Sequence, residues 1–277
     1  MSGWQFLLIA SVYASIFLAI GNYFWNKSNF KILGGLLVTV AVCMTPLIIY
    51  GVQKQFGWWP QGDPGSYKGY HLWVKGSWFY LEIGTILASA LALTRFKFPF
   101  ITMPAYFSLW YMTMDLTPLL FGKNDFTWEE RKMVSMIFGL AILIFSYFID
   151  LKKARSFAYW GYIFGGIAFW GGLTSMSSDN ELSKFIYLSI NIFLILTSVF
   201  LNRRIFLILG SIGCSVYLAH LFEKVFNDYF SFPIIISIVG LAIILLGVKY
   251  QKNEKKIKNF ILKSIPRSFH KLRPTDN

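Results

Sequence analysis

The sequence predicts an all-α integral membrane protein, a polytopic bundle of about nine transmembrane helices. Three observations predict it. The 277 residues are 56% hydrophobic and only 14% charged, where a globular domain is about a quarter charged, and the mean hydropathy is +0.54. Apolar runs of about 17–25 residues, each long enough to cross a hydrocarbon core of about 30 Å, follow one another with short polar interruptions. The runs are continuous rather than alternating, which selects helices over the strands of a membrane barrel. A water-soluble single domain is excluded.

Taken in order, the first run covers residues 4–25; residues 1–6 carry no Lys or Arg, so it reads as a retained span and not a cleaved leader. Lys27 and Lys31 separate it from a second run at 32–51. A long aromatic loop at 52–76 then leads to a third at 77–94, closed by Arg95, and a fourth at 98–121 begins just past Lys97. The fifth, 134–149, follows Glu129 and Glu130; the sixth, 157–176, follows Lys152, Lys153 and Arg155. The seventh, eighth and ninth are placed at 185–201, 205–226 and 232–248, the seventh and eighth divided by Arg203 and Arg204. Residues 1–250 form the transmembrane domain on this reading, and 251–277 a basic tail. Both cysteines, Cys43 and Cys214, fall inside apolar runs and read as core.

Lysine and arginine counts set the expected orientation. Nine sit in the short loops after the odd-numbered runs, nine more lie past Val248, and the other face has eight spread among acids such as Asp63, Asp125 and Asp179. The positive-inside rule then puts the N-terminus outside and the tail in the cytoplasm. In the tail Ile257, Phe260, Ile261 and Ile265 recur at helical spacing among Lys255, Lys256, Lys258 and Lys263, and Pro266 ends the pattern. That is an amphipathic helix suited to the anionic cytoplasmic leaflet of the bilayer; a protein partner docked on the tail would use the same pattern. Nothing suggests nucleic-acid binding, and the oligomeric state is open.

Ionisable groups at membrane depth are costly and are therefore the candidate site. They are Glu82, Asp115, His220 and Glu223. Counting about 1.5 Å per residue puts Glu82, Asp115 and His220 about 8–10 Å below the outer ends of their spans. Helical spacing extends each into a stripe: Trp78, Glu82, Thr85 and Ser89; Ser108, Tyr111 and Asp115; Tyr217, His220, Glu223 and Asn227. These stripes predict a polar cavity opening outward, with Trp58, Trp59, His71 and Trp73 of the long loop as a lid; interfacial anchoring is the simpler reading of those aromatics. A Thr-Pro-Leu pattern occurs twice, at Thr45-Pro46-Leu47 and Thr117-Pro118-Leu119. Each proline deprives a carbonyl, that of Val42 or Met114, of its helical donor, so both helices are expected to kink there. Gly161, Gly165, Gly172, Gly210 and Cys214 mark close-packed faces.

The three histidines are dispersed and no H-E-x-x-H, C-x-x-C, Walker or G-x-S-x-G pattern occurs. No metal site and no cofactor are expected, and ATP-driven pumping by this chain alone is excluded. The function that fits is a small permease or transport accessory of a bacterial inner membrane, with Asp115 and Glu82 taking protons or cations and His220 as titrating partner. A non-catalytic scaffold or assembly factor, its polar stripes serving as glue, is the alternative; an outer-leaflet transferase using His220 and Asp115 as bases is the third.

Overall fold

A computed structural model of the chain describes residues 2–60, 67–121, 127–176 and 180–226, with isolated positions between 237 and 253. Regular structure among the described residues is helical throughout: α1 (Gly3–Trp25), α2 (Lys31–Cys43), α3 (Thr45–Gln55), α4 (Tyr67–Arg95), α5 (Thr102–Phe121), α6 (Trp128–Leu151), α7 (Arg155–Ser175), α8 (Glu181–Leu201) and α9 (Arg204–Phe226). Each of the first eight predicted runs falls on a helix, with α2 and α3 sharing the second run. The ninth, at 232–248, is described only at isolated positions, and the tail from 254 onward lies outside the described residues.

Among the described residues, six helical stretches are long and apolar enough to cross a membrane: Gly3–Trp25, Ser28–Gln55, Gly76–Arg95, Trp128–Leu151, Glu181–Leu201 and Arg204–Leu221. The helix α7 is not among them, because Tyr, Trp, Thr and Gly, which score near neutral in hydropathy, fill much of its length. Large apolar side chains stand outward in quantity, among them Leu91 (71% exposed), Phe193 (66%) and Leu8 (61%). Water would penalise such a surface; lipid does not. The chain has the make-up of a multi-pass integral membrane protein.

Several helices outrun the predicted spans, since charge ends a span without ending a helix. The helix α4 starts at Tyr67, so Tyr67, Tyr70, His71 and Trp73 belong to its first turns and not to a long loop at 52–76, and α3 already takes in residues 52–55. Lys68 and Lys75 interrupt the hydropathy there, yet nothing in residues 67–76 is a proline, so intrahelical hydrogen bonding continues. Glu82 is therefore about 22 Å along α4 from its first residue, but only about 9 Å from Gly76, where the membrane-crossing stretch of that helix begins among the described residues. The helix α6 starts six residues before the predicted run because Thr127 caps it: its Oγ1 accepts from Glu130 N at 3.2 Å while its own N donates to Glu130 Oε2 at 2.7 Å, a capping box.

The chain divides into two compact units, Met1–Ser175 and Met176–Asn277. In the first unit, α1 packs along α2 and α3 through glycines at both ends. A Cβ on Gly34 would meet Trp25 Cα at 2.8 Å, and one on Gly51 would meet Leu7 N at 2.6 Å. Backbone-to-backbone contact of this kind is how helices associate where lipid removes the hydrophobic drive. The helices α6 and α7 use the same device at Gly139, Gly165 and Gly172, reinforced by Ser135 Oγ donating to Ala168 O at 3.1 Å. Near the ends of α1 and α4, Trp25 stands edge-on to Phe96 and Phe98 over a buried cluster of Val38, Phe96 and Ile101. Phe100, just past that cluster, meets Trp160 of α7 at 5.4 Å, so Lys27, Lys31, Arg95, Lys97 and Arg155 share one end of this unit.

In the second unit, α8 opens on Asn180, whose Oδ1 accepts from Leu182 N at 3.0 Å, and closes on Asn202 in the left-handed region (φ 55°). The helix α9 packs back on α8 through Gly210, whose added Cβ would meet Asn191 O at 2.6 Å, and Gly213, which faces the Asn191 amide. Asn191 is fully buried and its Nδ2 donates to Tyr187 O at 2.8 Å.

Candidate functional site

A break in the second rod makes room for a pocket. Pro46 has no N–H, so no helical bond can reach the Val42 carbonyl from it; the helix ends at Cys43, turns through Met44 and restarts as α3 at Thr45. The expected irregularity at Pro46 is thus a break between two helices. The expected counterpart at Pro118 is different, because α5 runs through that position to Phe121 as one helix. The break, α4 and α5 enclose a pocket of about 330 Å³ lined by Cys43 and Pro46, by Trp78, Leu81, Glu82 and Thr85, and by Pro104, Phe107, Ser108 and Tyr111. This volume lies at the lower end of the range of small-molecule sites, about 300–1,000 Å³.

Spacing along two helices explains the lining. Trp78, Glu82 and Thr85 recur at four and three residues on α4, and Pro104, Ser108 and Tyr111 at the same intervals on α5, with Phe107 beside Ser108, so each set presents one face. The faces meet through rings: Trp78 lies 5.0 Å from Tyr111, and Tyr111 stacks on Phe107 at 6.1 Å with 26° between the planes. Glu82 is only 6% exposed. The pocket surface is nonetheless almost all carbon, unlike the polar cavity the stripes suggest. The hydroxyls turn back into their own helix, Thr85 Oγ1 donating to Leu81 O at 2.7 Å and Ser89 Oγ to Thr85 O at 2.8 Å. A serine or threonine on a helix can satisfy itself in this way and then shows its neighbours only carbon.

The remaining sequence candidates are distributed as follows. Glu82 and Tyr111 share the pocket. Asp115 and Thr117 are on the next turns of α5, with side chains outside the described set, as are those of His71, Trp73 and Glu223. Tyr217 and His220 are on α9 in the second unit, both half-buried, and His220 Nε2 is buried with no hydrogen-bond partner among the described residues. Trp58 is 69% exposed and stacks on Phe56 at 5.5 Å, whereas Trp59 is half-buried with its ring edge-on to Tyr50 at 4.6 Å. Cys43 and Cys214 are free thiols, Cys43 exposed and Cys214 half-buried, so neither is the core residue its apolar setting suggests. In a membrane protein an apolar run covers lipid-facing and pocket-facing positions as well as core. Among the described residues no group of three or more His, Cys, Asp or Glu is placed to hold a metal.

Buried polar residues outside the predicted stripes also shape the molecule. Gln53 is 3% exposed; its Nε2 donates to Ser77 O at 3.0 Å and its backbone carbonyl accepts from Trp58 N and Trp59 N at 2.8 and 3.1 Å. It thereby ties the end of α3 to α4 one residue before Trp78. Gln53→Leu is expected to cost about 0.5–1.5 kcal/mol, the net worth of one intramolecular hydrogen bond, read as a lower melting temperature of the detergent-purified protein. Arg131, Asp150 and Asn191 are buried too. The first two lie at the ends of a span, where charge ordinarily reads as solvated, which is why the sequence hides them; Asn191, inside an apolar run, was the visible signal.

The class defined by this fold is an all-helical, multi-pass membrane protein with a small aromatic pocket carrying one acidic side chain. Comparison with protein families, curated proteins and solved structures finds no match to this chain.

Proposed function

We propose that the chain is a small permease or transport accessory protein, with the pocket between the broken rod, α4 and α5 as its ligand-binding element and Glu82 as its charged group. The observation that carries the reading is a buried carboxylate in the wall of an otherwise apolar pocket within a bundle of membrane-crossing helices. An ionisable residue at membrane depth is a functional candidate by default. Asp115 follows Tyr111 on α5 at a spacing of four residues. The basic end of the first unit, with Lys27, Lys31, Arg95, Lys97 and Arg155, and the tail favour a cytoplasmic placement for that side, in the inner membrane of a bacterium.

The test uses the full chain in proteoliposomes with a pH-sensitive dye inside, challenged with small organic solutes beginning with cations. Solute-dependent proton movement is expected, with an initial rate at least tenfold lower in Glu82→Gln. No movement in either protein would remove the permease reading, and equal rates in the two would remove Glu82 from it. A scaffold role is favoured by a different observation: the hydroxyls of Thr85, Ser89 and Ser146 bond within their own helices and glycines lock the interfaces, as in a static bundle. Specific recovery of one partner that is lost on deleting residues 255–277 would support it.

A further inference from the structure

We infer that the pocket selects a hydrophobic organic cation, a rigid aryl-bearing onium ion rather than a metal ion, a sugar or an organic anion; the inference deepens the permease reading and rests on it. Trp78, Tyr111 and Phe107 form a continuous aromatic wall, the first two rings 5.0 Å apart and the second two 6.1 Å apart. Aromatic faces carry negative potential and attract cations that are weakly hydrated enough to shed their water. Glu82, one turn from Trp78 on the same face of α4, adds an acidic side chain, the only charged one among the described residues that line the pocket.

The rest of the wall decides against competing ligands. Metal ions need several oxygen, nitrogen or sulfur donors converging on one point, and among the described residues no group of three or more His, Cys, Asp or Glu is placed to supply them. Sugars need a ring of donors and acceptors, which a surface almost all carbon does not offer. An organic anion would meet Glu82 and the negative ring faces together. What remains is a ligand that is apolar over most of its surface with a delocalised or shielded positive charge. On the far side Cys43 stands at the end of α2, beside Pro46, so a bound ligand covers a free thiol that reports occupancy.

The experiment uses tetraphenylphosphonium and tetraphenylborate, ions of matched shape and opposite charge that both cross membranes and so reach the pocket from either side. Binding of each to the full chain in detergent is measured by equilibrium dialysis, and alkylation of Cys43 by N-ethylmaleimide is followed by mass spectrometry with Cys214 as internal reference. The expected result is saturable binding of the phosphonium at least tenfold tighter than of the borate, slower alkylation of Cys43 but not Cys214 in its presence, and loss of both effects in Glu82→Gln. Comparable binding of the two ions, or saturable binding of neither, overturns the inference, and because both are measured on the wild-type chain a misfolded variant cannot obscure them. Phosphonium binding without solute-driven proton movement in proteoliposomes would leave the cation site standing and remove the permease reading. Proton movement without phosphonium binding would do the reverse.

Discussion

Gly172→Leu is expected to abolish folding of the first unit, seen as loss of a monodisperse peak in size-exclusion chromatography of the detergent extract. A Cβ at this position would meet Lys132 O at 2.6 Å and Met136 N at 2.8 Å. Both are backbone atoms of α6, and no rotamer change can move them. Overpacking a core costs about 1–3 kcal/mol when side chains can give way; here a whole helix must be displaced, and the contacts at Gly139 and Gly165 go with it. The adjacent Gly171 is a built-in control, because an added Cβ there meets nothing within 4 Å. Gly171→Ala should leave the protein intact and raise its melting temperature slightly, since alanine exceeds glycine in helix propensity by about 1 kcal/mol. Opposite outcomes at consecutive residues would locate the effect in the interface rather than in glycine content. Equal tolerance of both would mean that α6 and α7 are not held this closely.

The second large effect belongs to α8 and α9. Gly213→Ala drives a methyl into the Asn191 amide, whose Nδ2 would lie 2.6 Å away, and is expected to destabilise the second unit by about 1–3 kcal/mol. Asn191 cannot swing outward without leaving the hydrogen bond to Tyr187 O and carrying a polar amide among apolar neighbours. Asn191→Ala alone should cost less, as the same truncation removes both the amide and its need for a partner. The double variant is therefore expected to be more stable than Gly213→Ala, a coupling of 0.5–3 kcal/mol being usual for residues in contact. Additive losses in thermal unfolding of the four proteins would show that the two residues do not touch.

How far the sequence carries depends on which residues are asked about. The helical, membrane-crossing character was legible because hydropathy is summed over a window and lipid imposes a length, so a misread residue hardly matters. The ends of α4 and α6 were not, since membrane depth and helix length are separate quantities: Lys68 and Lys75 end the first but not the second, and Thr127 extends α6 through a cap that hydropathy does not score. For the site, helical spacing was enough to group Trp78 with Glu82 and Ser108 with Tyr111. It could not say that Cys43 and Pro46 would complete the wall, nor that Thr85 and Ser89 would bond inward and leave the surface carbon. The proline break was readable at Pro46, but the same Thr-Pro-Leu pattern at Pro118 sits within an unbroken α5, so the motif does not specify its own outcome.

Class and helical content follow from local properties: the cost of polar groups in hydrocarbon and the need of every backbone amide in lipid for an internal partner. Those terms are additive along the chain and can be read from the letters. Which helix faces which, where a rod breaks, and whether a buried hydroxyl points at a ligand or at its own carbonyl depend on competition among neighbours brought together from distant positions. The packed arrangement alone placed Tyr111 against Trp78 and a carboxylate inside an aromatic pocket, because helix faces of nearly equal hydropathy are told apart by shape, by the glycines that let one backbone reach another, and not by composition.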